Sequence, residues 1–184
     1  MSEQTDLKGL RVLLVGGRPA SIAVLRTAFG LLGLRQITVT PESARAVEAL
    51  RAQHFAAVFC DAAAEPFDDM PFPLAARRAP GVLNPMTPLF LIHSHARRRH
   101  IEIARDSGVT DVLTHPVSAA TIARKLRIAI AEPRPFIAAP TFFGPDRRAG
   151  RPETYKGPDR RTRIAKKTKI TLPEAAPGTD VALV

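Results

Sequence analysis

Short apolar segments alternate with longer amphipathic segments over the first two thirds of the chain. The short segments are rich in aliphatic residues and stop at a glycine, a proline or a polar residue, which is typical of buried β-strands. The longer segments carry apolar residues at helical spacing, which predicts amphipathic helices. The predicted strands are residues 12–15, 36–39, 56–61, 89–94 and 111–114, and the predicted helices are residues 19–33, 40–53, 96–108 and 118–132, with a further candidate helix among the prolines of residues 67–79.

Strands that alternate with helices predict an α/β fold with a parallel sheet, since right-handed crossovers place the helices on both faces of such a sheet. The residues at the predicted helix ends agree with this assignment. Pro19 suits a first helical turn, and Gly33 and Gly108 suit positions just after a helix. Thr40 and Ser118 are predicted to be the N-caps of the second and last helices.

Composition and charge both change near Pro133. The segment "EPRPFIAAPTFFGPD" holds four prolines, which neither a helix nor a central strand tolerates. Residues 134–184 carry 11 of the 27 lysine and arginine residues but only 5 of the 17 acidic residues. We therefore predict a folded domain at residues 9–132, followed at residues 133–184 by a proline-rich linker and a basic, largely unstructured tail.

The single cysteine, Cys60, excludes a disulfide framework and favours a reducing compartment. The chain starts with polar residues, and no apolar run approaches the roughly 20 residues that cross a bilayer. These features predict a cytoplasmic protein without a transmembrane segment.

Three segments within residues 9–132 combine a strand with distinctive residues at its end: "RVLLVGGRP", "FAAVFCD" and "DSGVTDVLTHPVS". In this order they resemble the first, third and fifth strand regions of the receiver domain of two-component response regulators. The resemblance implies a CheY-like, doubly wound sheet of five parallel strands in the order 2-1-3-4-5. It also makes Asp61, at the end of the third strand, the candidate phospho-acceptor.

Other site positions of that family carry different residues in this chain. The acidic pair that holds Mg²⁺ in the family falls on Gly16 and Gly17, the hydroxyl position falls on His93 with Ser94 beside it, and the lysine falls on His115. Mg²⁺ prefers carboxylate and phosphate oxygens, so we expect its binding to be absent or weak, with no other cofactor or metal. Because phosphoryl transfer depends on these charges, the resemblance implies a pseudo-receiver that is not an enzyme.

The histidines at these positions suggest a further hypothesis. If the family geometry holds, His93 and His115 both approach Asp61. They could then pair with the carboxylate as imidazolium groups, form a two-histidine, one-carboxylate metal site, or lie apart. We favour pairing, since nothing else in the sequence suggests a second shell that would orient metal ligands.

The tail contains a short repeat. "FFGPDRRAG" and "YKGPDRRTR" share the pattern aromatic residue, any residue, Gly-Pro-Asp-Arg-Arg, with Gly144 and Gly157 as counterparts. Gly-Pro-Asp favours a turn, and paired arginines present forked hydrogen-bond donors. Such basic segments bind nucleic acid, anionic surfaces or acidic proteins, and many are simply solvated. The candidate interaction residues are Arg147, Arg148, Arg160 and Arg161.

Three functions remain open from the sequence. The first, which we favour, is a stand-alone degenerate receiver that acts as a signalling adaptor through contacts with a histidine kinase or other regulator components. The second is a working single-domain response regulator that is phosphorylated on Asp61. The third is a nucleic-acid-binding protein that uses the basic tail, although no helix-turn-helix is predicted after residue 133.

Overall fold

The computed structural model describes residues 7–94, 97–139, 142–146 and 167–168. Residues 167 and 168 are described by their backbone alone. Five strands alternate with five helices in the first part of the chain. The strands are β1 Arg11–Val15, β2 Gln36–Thr40, β3 Ala57–Asp61, β4 Leu89–His93 and β5 Asp111–Thr114. The helices are α1 Pro19–Leu31, α2 Ser43–Ala52, α3 Phe72–Arg78, α4 Arg98–Asp106 and α5 Ala119–Ala131.

The five strands form one parallel sheet in the order β2-β1-β3-β4-β5, which confirms the predicted fold class. Because all strands run the same way, their carboxyl ends meet at one edge of the sheet. The shift in strand order between β1 and β3 leaves a crevice at that edge. This crevice is where chemistry is expected in a doubly wound sheet.

The sheet is buried on both faces because successive side chains along each strand point to opposite sides. On one face, Val12 and Leu14 pack with Phe29 of α1 and Leu126 of α5. On the other face, residues of β1 pack with α2, α3 and α4. The first face has an aromatic stack at its centre, with ring centroids 4.8 Å apart for Phe29 and Phe59 and 4.9 Å apart for Phe59 and Phe90.

The predicted helix caps have mixed outcomes. Ser118 caps α5 as predicted, since its hydroxyl oxygen accepts a hydrogen bond from Thr121 N at 3.1 Å. The prediction for Thr40 is wrong, because Thr40 is the last residue of β2 and its carbonyl accepts from Gly16 N at 2.8 Å. The α2 helix begins at Ser43, whose hydroxyl instead donates to the carbonyl oxygen of Glu65.

A short antiparallel hairpin follows α5. It consists of β6 Phe136–Ala139 and β7 Phe142–Pro145, and the two-residue strand β8, Lys167–Thr168, pairs with the other edge of β6. Phe136 and Asp146 are only 1% and 6% exposed, respectively. The hairpin packs near the amino ends of β4 and β5, where Pro88, Thr110, Phe136 and Pro145 line a small shared cavity. It therefore lies at the opposite end of the sheet from Asp61.

This hairpin places the end of the packed region later than composition indicates. The sequence puts a boundary at residue 133, whereas the described residues of the hairpin pack against the domain as far as Asp146. Pro135 precedes β6 and Pro145 is the last residue of β7, and proline is tolerated at such strand ends. A proline-rich composition is therefore compatible with this docked hairpin.

We expect chymotrypsin to spare the bond after Phe136 in the native protein. Cleavage requires an extended, accessible segment, and Phe136 is buried within a paired strand. Mass spectrometry of a native digest should show slow cleavage at this site compared with the same protein in urea. Rapid release of a fragment ending at Phe136 under native conditions would show that the hairpin does not dock.

Candidate functional site

Asp61 lies at the carboxyl edge of the sheet, where it ends β3 beside the turn that follows β1. A cavity of about 550 Å³ opens at this edge. The sequence-predicted residues that line it are Gly16, Gly17, Asp61, Ser94 and His115. The fold therefore brings together five of the six residues that were expected to form one pocket.

The Asp61 carboxylate is half-buried and is held by its own loop. Its Oδ1 atom accepts a hydrogen bond from Ala63 N at 2.8 Å, and Asp61 O accepts from Ala64 N at 3.0 Å. No ion pair to Asp61 is formed by the residues that the structure describes. The loop is fixed further along by the hydrogen bond from Ser43 to Glu65 O.

Gly16 and Gly17 occupy backbone conformations that suit glycine. Their φ angles are +66° and +97°, in the left-handed region that L-residues rarely adopt. A Cβ atom on Gly16 would lie 2.7 Å from the Cβ of Ala64, and one on Gly17 would lie 3.2 Å from Asp61 Oδ2. Side chains at these positions would therefore meet both backbone strain and close contacts.

The rest of the cavity lining mixes apolar residues with polar groups of both charges. Arg18 and His115 contribute basic groups, Glu42 and Glu65 contribute acidic groups, and Ser94 contributes a hydroxyl. A carboxylate beside an imidazole and a hydroxyl can form hydrogen bonds with a polar ligand or a partner's side chain. Within the described ranges, no group of three or more histidine, cysteine or acidic side chains is placed to hold a metal ion.

His93 lies outside this cavity. Its ring stacks on that of His100 of α4, with centroids 4.6 Å apart and an angle of 18° between the planes. Both rings line a groove of about 250 Å³ between α3 and α4, whose wall includes Phe72 and Ile103. His93 and Ser94 are neighbours at the end of β4, and only Ser94 lines the Asp61 cavity.

Asp61 lines both this groove and its own cavity, so the pairing of either histidine with the carboxylate stays a prediction. His93 takes the neighbouring groove, which leaves His115 as the one histidine among the described lining residues of the Asp61 cavity. Among the described residues, no two-histidine, one-carboxylate group is placed to hold a metal ion.

Cys60 is a core residue, as its alternation with Asp61 along β3 indicates. It is 1% exposed, and burial raises the pKa of its thiol, with a further contribution from the charge of Asp61. A thiol with a raised pKa is a poor nucleophile and a poor metal ligand, since both roles require the thiolate. Its proximity to the candidate acceptor therefore does not add chemistry to the site.

Sequence reasoning missed Arg77, a buried arginine that connects the domain to the hairpin. It is 5% exposed, and its guanidinium donates to the carbonyls of Gly108, Pro85 and Thr87 at 3.0, 2.6 and 2.7 Å. The guanidinium carbon lies 5.1 Å from the ring centroid of Phe136. Burial lowers the pKa of Arg77 to about 9, so the group is still protonated at neutral pH.

The four tail arginines that were predicted to bind partners lie outside the described residues. They are Arg147, Arg148, Arg160 and Arg161. Within the part of the chain that the structure does describe, no helix is both long and apolar enough to span a membrane.

Comparisons with known proteins identify the fold. No protein-family model matches the chain, and no curated protein matches it. Among solved structures, the receiver domain of a sensor histidine kinase from Pseudomonas aeruginosa, determined with a magnesium ion in its active-site cleft, has a TM-score of 0.59 and 22% identity. The match covers 67% of this chain and 99% of that one.

Two further structures agree with this match. A response regulator from Desulfuromonas acetoxidans has a TM-score of 0.58 and 17% identity, over 66% of this chain and 97% of its own. A chemotaxis response regulator from Vibrio cholerae has a TM-score of 0.55 and 15% identity, over 64% of this chain and 96% of its own. The chain therefore has the CheY-like fold of response-regulator receiver domains.

Proposed function

We propose that this chain is a two-component signalling receiver that acts as a protein-interaction adaptor and not through Mg²⁺-dependent phosphorylation. The receiver fold supports the signalling role, and the composition of the Asp61 cavity supports the adaptor role. A fold alone does not define activity, so the proposal depends on the site. Its partners would be signalling proteins such as a histidine kinase or another regulator.

One observation carries the proposal. Asp61 faces two glycines at the positions where the resemblance places acidic metal ligands, and both glycines have positive φ angles and little room for a Cβ. One carboxylate beside two glycines at these positions is a weak Mg²⁺ site, because this cation takes several hard oxygen ligands. Without the cation, the charge that develops during phosphoryl transfer is poorly neutralised.

A working response regulator is the second candidate, and a specific observation favours it. Asp61 is half-buried and lines an open cavity together with Ser94 and His115, so a small phosphoryl donor has access to the carboxylate. In this second function, Ser94 and the protonated form of His115 would bind the phosphoryl oxygens.

Phosphorylation separates these two functions. We expect no stable gain of a phosphoryl group when the full chain is incubated with a small phosphoryl donor and Mg²⁺, since the neutralising charges are missing. Intact-protein mass spectrometry measures this, with Asp61→Asn as the matched control. A donor-dependent mass gain in the wild type that disappears in Asp61→Asn would replace the adaptor with the working regulator.

We also expect millimolar Mg²⁺ to leave the thermal stability unchanged, because a ligand stabilises only a state that it binds. Amide resonances of Asp61 and its loop should likewise stay in place during a Mg²⁺ titration. A saturable shift that is lost in Asp61→Asn would contradict the proposed loss of the metal site.

The third function, nucleic-acid binding by the tail, depends on residues outside the described ranges. It predicts binding whose affinity falls steeply with salt concentration. A truncation for this test should end after Asp146, because the hairpin up to that residue packs on the domain. The same truncation serves as the control when partners are captured with the full chain.

A further inference from the structure

The hairpin strand β7 is part of one of the two Gly-Pro-Asp repeats. Phe142–Asp146 belongs to the first copy and packs against the domain, whereas the second copy, Tyr155–Asp159, lies outside the described residues. The first copy therefore shows what surface the shared pattern fits. That surface can then be compared with the sequence of the second copy.

The central contact is between two glycines. A Cβ atom added to Gly144 would lie 2.7 Å from the Cα of Gly108, and one added to Gly108 would lie 2.5 Å from the carbonyl oxygen of Phe143. Backbone atoms on both sides make these contacts, so no flexible side chain can move aside to relieve them. The surface beside Gly108 therefore requires glycine at the third position of the repeat.

The residues after this glycine are also buried on the domain. Pro145 lines the small cavity shared with β4 and α5, and Asp146 is 6% exposed, with its N–H donating to Pro135 O at 2.7 Å. The backbone of Gly108 is held in place, because the Arg77 guanidinium donates a hydrogen bond to Gly108 O at 3.0 Å. Gly-Pro-Asp is thus the part of the repeat that the domain contacts through a rigid surface.

The second copy keeps this part and changes only its flank. It has Gly157, Pro158 and Asp159 in the same order, with Tyr155 in place of Phe142. Lys156 replaces Phe143, whose ring lies 5.5 Å from that of Phe136 in the first copy. The second copy therefore retains the glycine that the surface requires and lacks one aromatic contact.

We propose that the surface formed by Gly108, Arg77 and Phe136 is a binding site for peptides of the pattern aromatic residue, any residue, Gly-Pro-Asp. The chain carries two ligands for this one site, and Tyr155–Asp159 of the same chain binds there when the first copy is displaced. The first copy is preferred because it follows β6 through a short loop and supplies Phe143, and a longer loop costs more entropy to close. This inference is independent of the chemistry at Asp61.

Three valine variants of the full chain test the proposal. Gly144→Val displaces the first copy, Gly157→Val removes the second ligand, and the double variant removes both. The Gly108 amide resonance reports occupancy of the site. We expect it to stay at its docked position in both single variants and to move in the double variant, with backbone contacts between Gly157 and Gly108 appearing only in Gly144→Val.

Identical Gly108 shifts in Gly144→Val and in the double variant would overturn the proposal. A synthetic peptide of residues 152–163 gives an independent arm on the wild-type chain, should a variant fail to fold. We expect a saturable change at Gly108 at high peptide concentration, and none with a peptide that has valine at the position of Gly157. Equal responses to the two peptides would also refute a glycine-dependent site.

Discussion

Replacing Arg77 with alanine is expected to lower the free energy of unfolding by about 3–5 kcal/mol, because three carbonyls, two of them buried, lose a charged donor and a cavity forms. These carbonyls belong to Gly108, Pro85 and Thr87, which lie in loops before β4 and β5. The contact with Phe136 is lost as well, so the hairpin should be released in the same variant. Urea unfolding followed by circular dichroism measures the loss of stability.

Arg78→Ala is the matched control, since Arg78 is the next residue in α3 and is exposed. We expect this change to stay within about 0.5 kcal/mol of the wild type. Arg77→Met separates hydrogen bonding from volume, because methionine fills much of the space but donates nothing. Equal stabilities of Arg77→Ala and Arg78→Ala would show that the buried guanidinium does not hold these loops.

The sheet and its helices could be predicted because local patterns and topology agree. Most strands of the sheet are short apolar runs, and parallel order follows once such runs alternate with amphipathic helices. The sequence predicts α3 least clearly, since Pro71 and Pro73 lie at its start. Proline is compatible with a first helical turn, and this resolves the ambiguity.

The hairpin and Arg77 could not be predicted because their reasons lie in tertiary contacts. Gly108 is predicted to follow a helix, and it does follow α4. Its contact with Gly144, however, joins two segments that are far apart in the sequence. An arginine in the last turn of a helix normally points to solvent. Arg77 is buried instead because the carbonyls of two distant loops converge on it.

The candidate site was predictable where it depended on strand ends and less so where it depended on side-chain direction. Gly16, Asp61 and His115 meet at one edge because the strands are parallel. His93 ends β4 at that edge, yet its ring stacks on His100 of the helix that follows. A strand position fixes the edge at which a side chain lies, and neighbouring helices decide which groove it enters.

The second large effect is expected at Gly16, where alanine should lower the free energy of unfolding by about 2–4 kcal/mol. Two causes contribute: a positive φ that is unfavourable for an L-residue, and a Cβ that would lie 2.7 Å from the Cβ and 3.1 Å from the Cα of Ala64. Gly9→Ala isolates the first cause, since Gly9 has a φ of +86° and nothing within 4 Å of an added Cβ. Its cost should be about 1 kcal/mol.

The difference between these two variants measures how tightly the loop after β3 closes over the turn after β1. Ala64 follows Ala63, whose N–H holds the Asp61 carboxylate, so a side chain at Gly16 should also disturb Asp61. An aspartate placed at Gly16 would meet the same contact through its own Cβ, and Mg²⁺ binding should not be restored by this change alone. Thermal unfolding of Gly16→Ala, Gly16→Asp and Gly9→Ala with and without Mg²⁺ tests both statements. Equal losses for Gly16→Ala and Gly9→Ala, or a Mg²⁺-dependent rescue of Gly16→Asp, would mean that the loop yields and that an acidic pair could be accommodated.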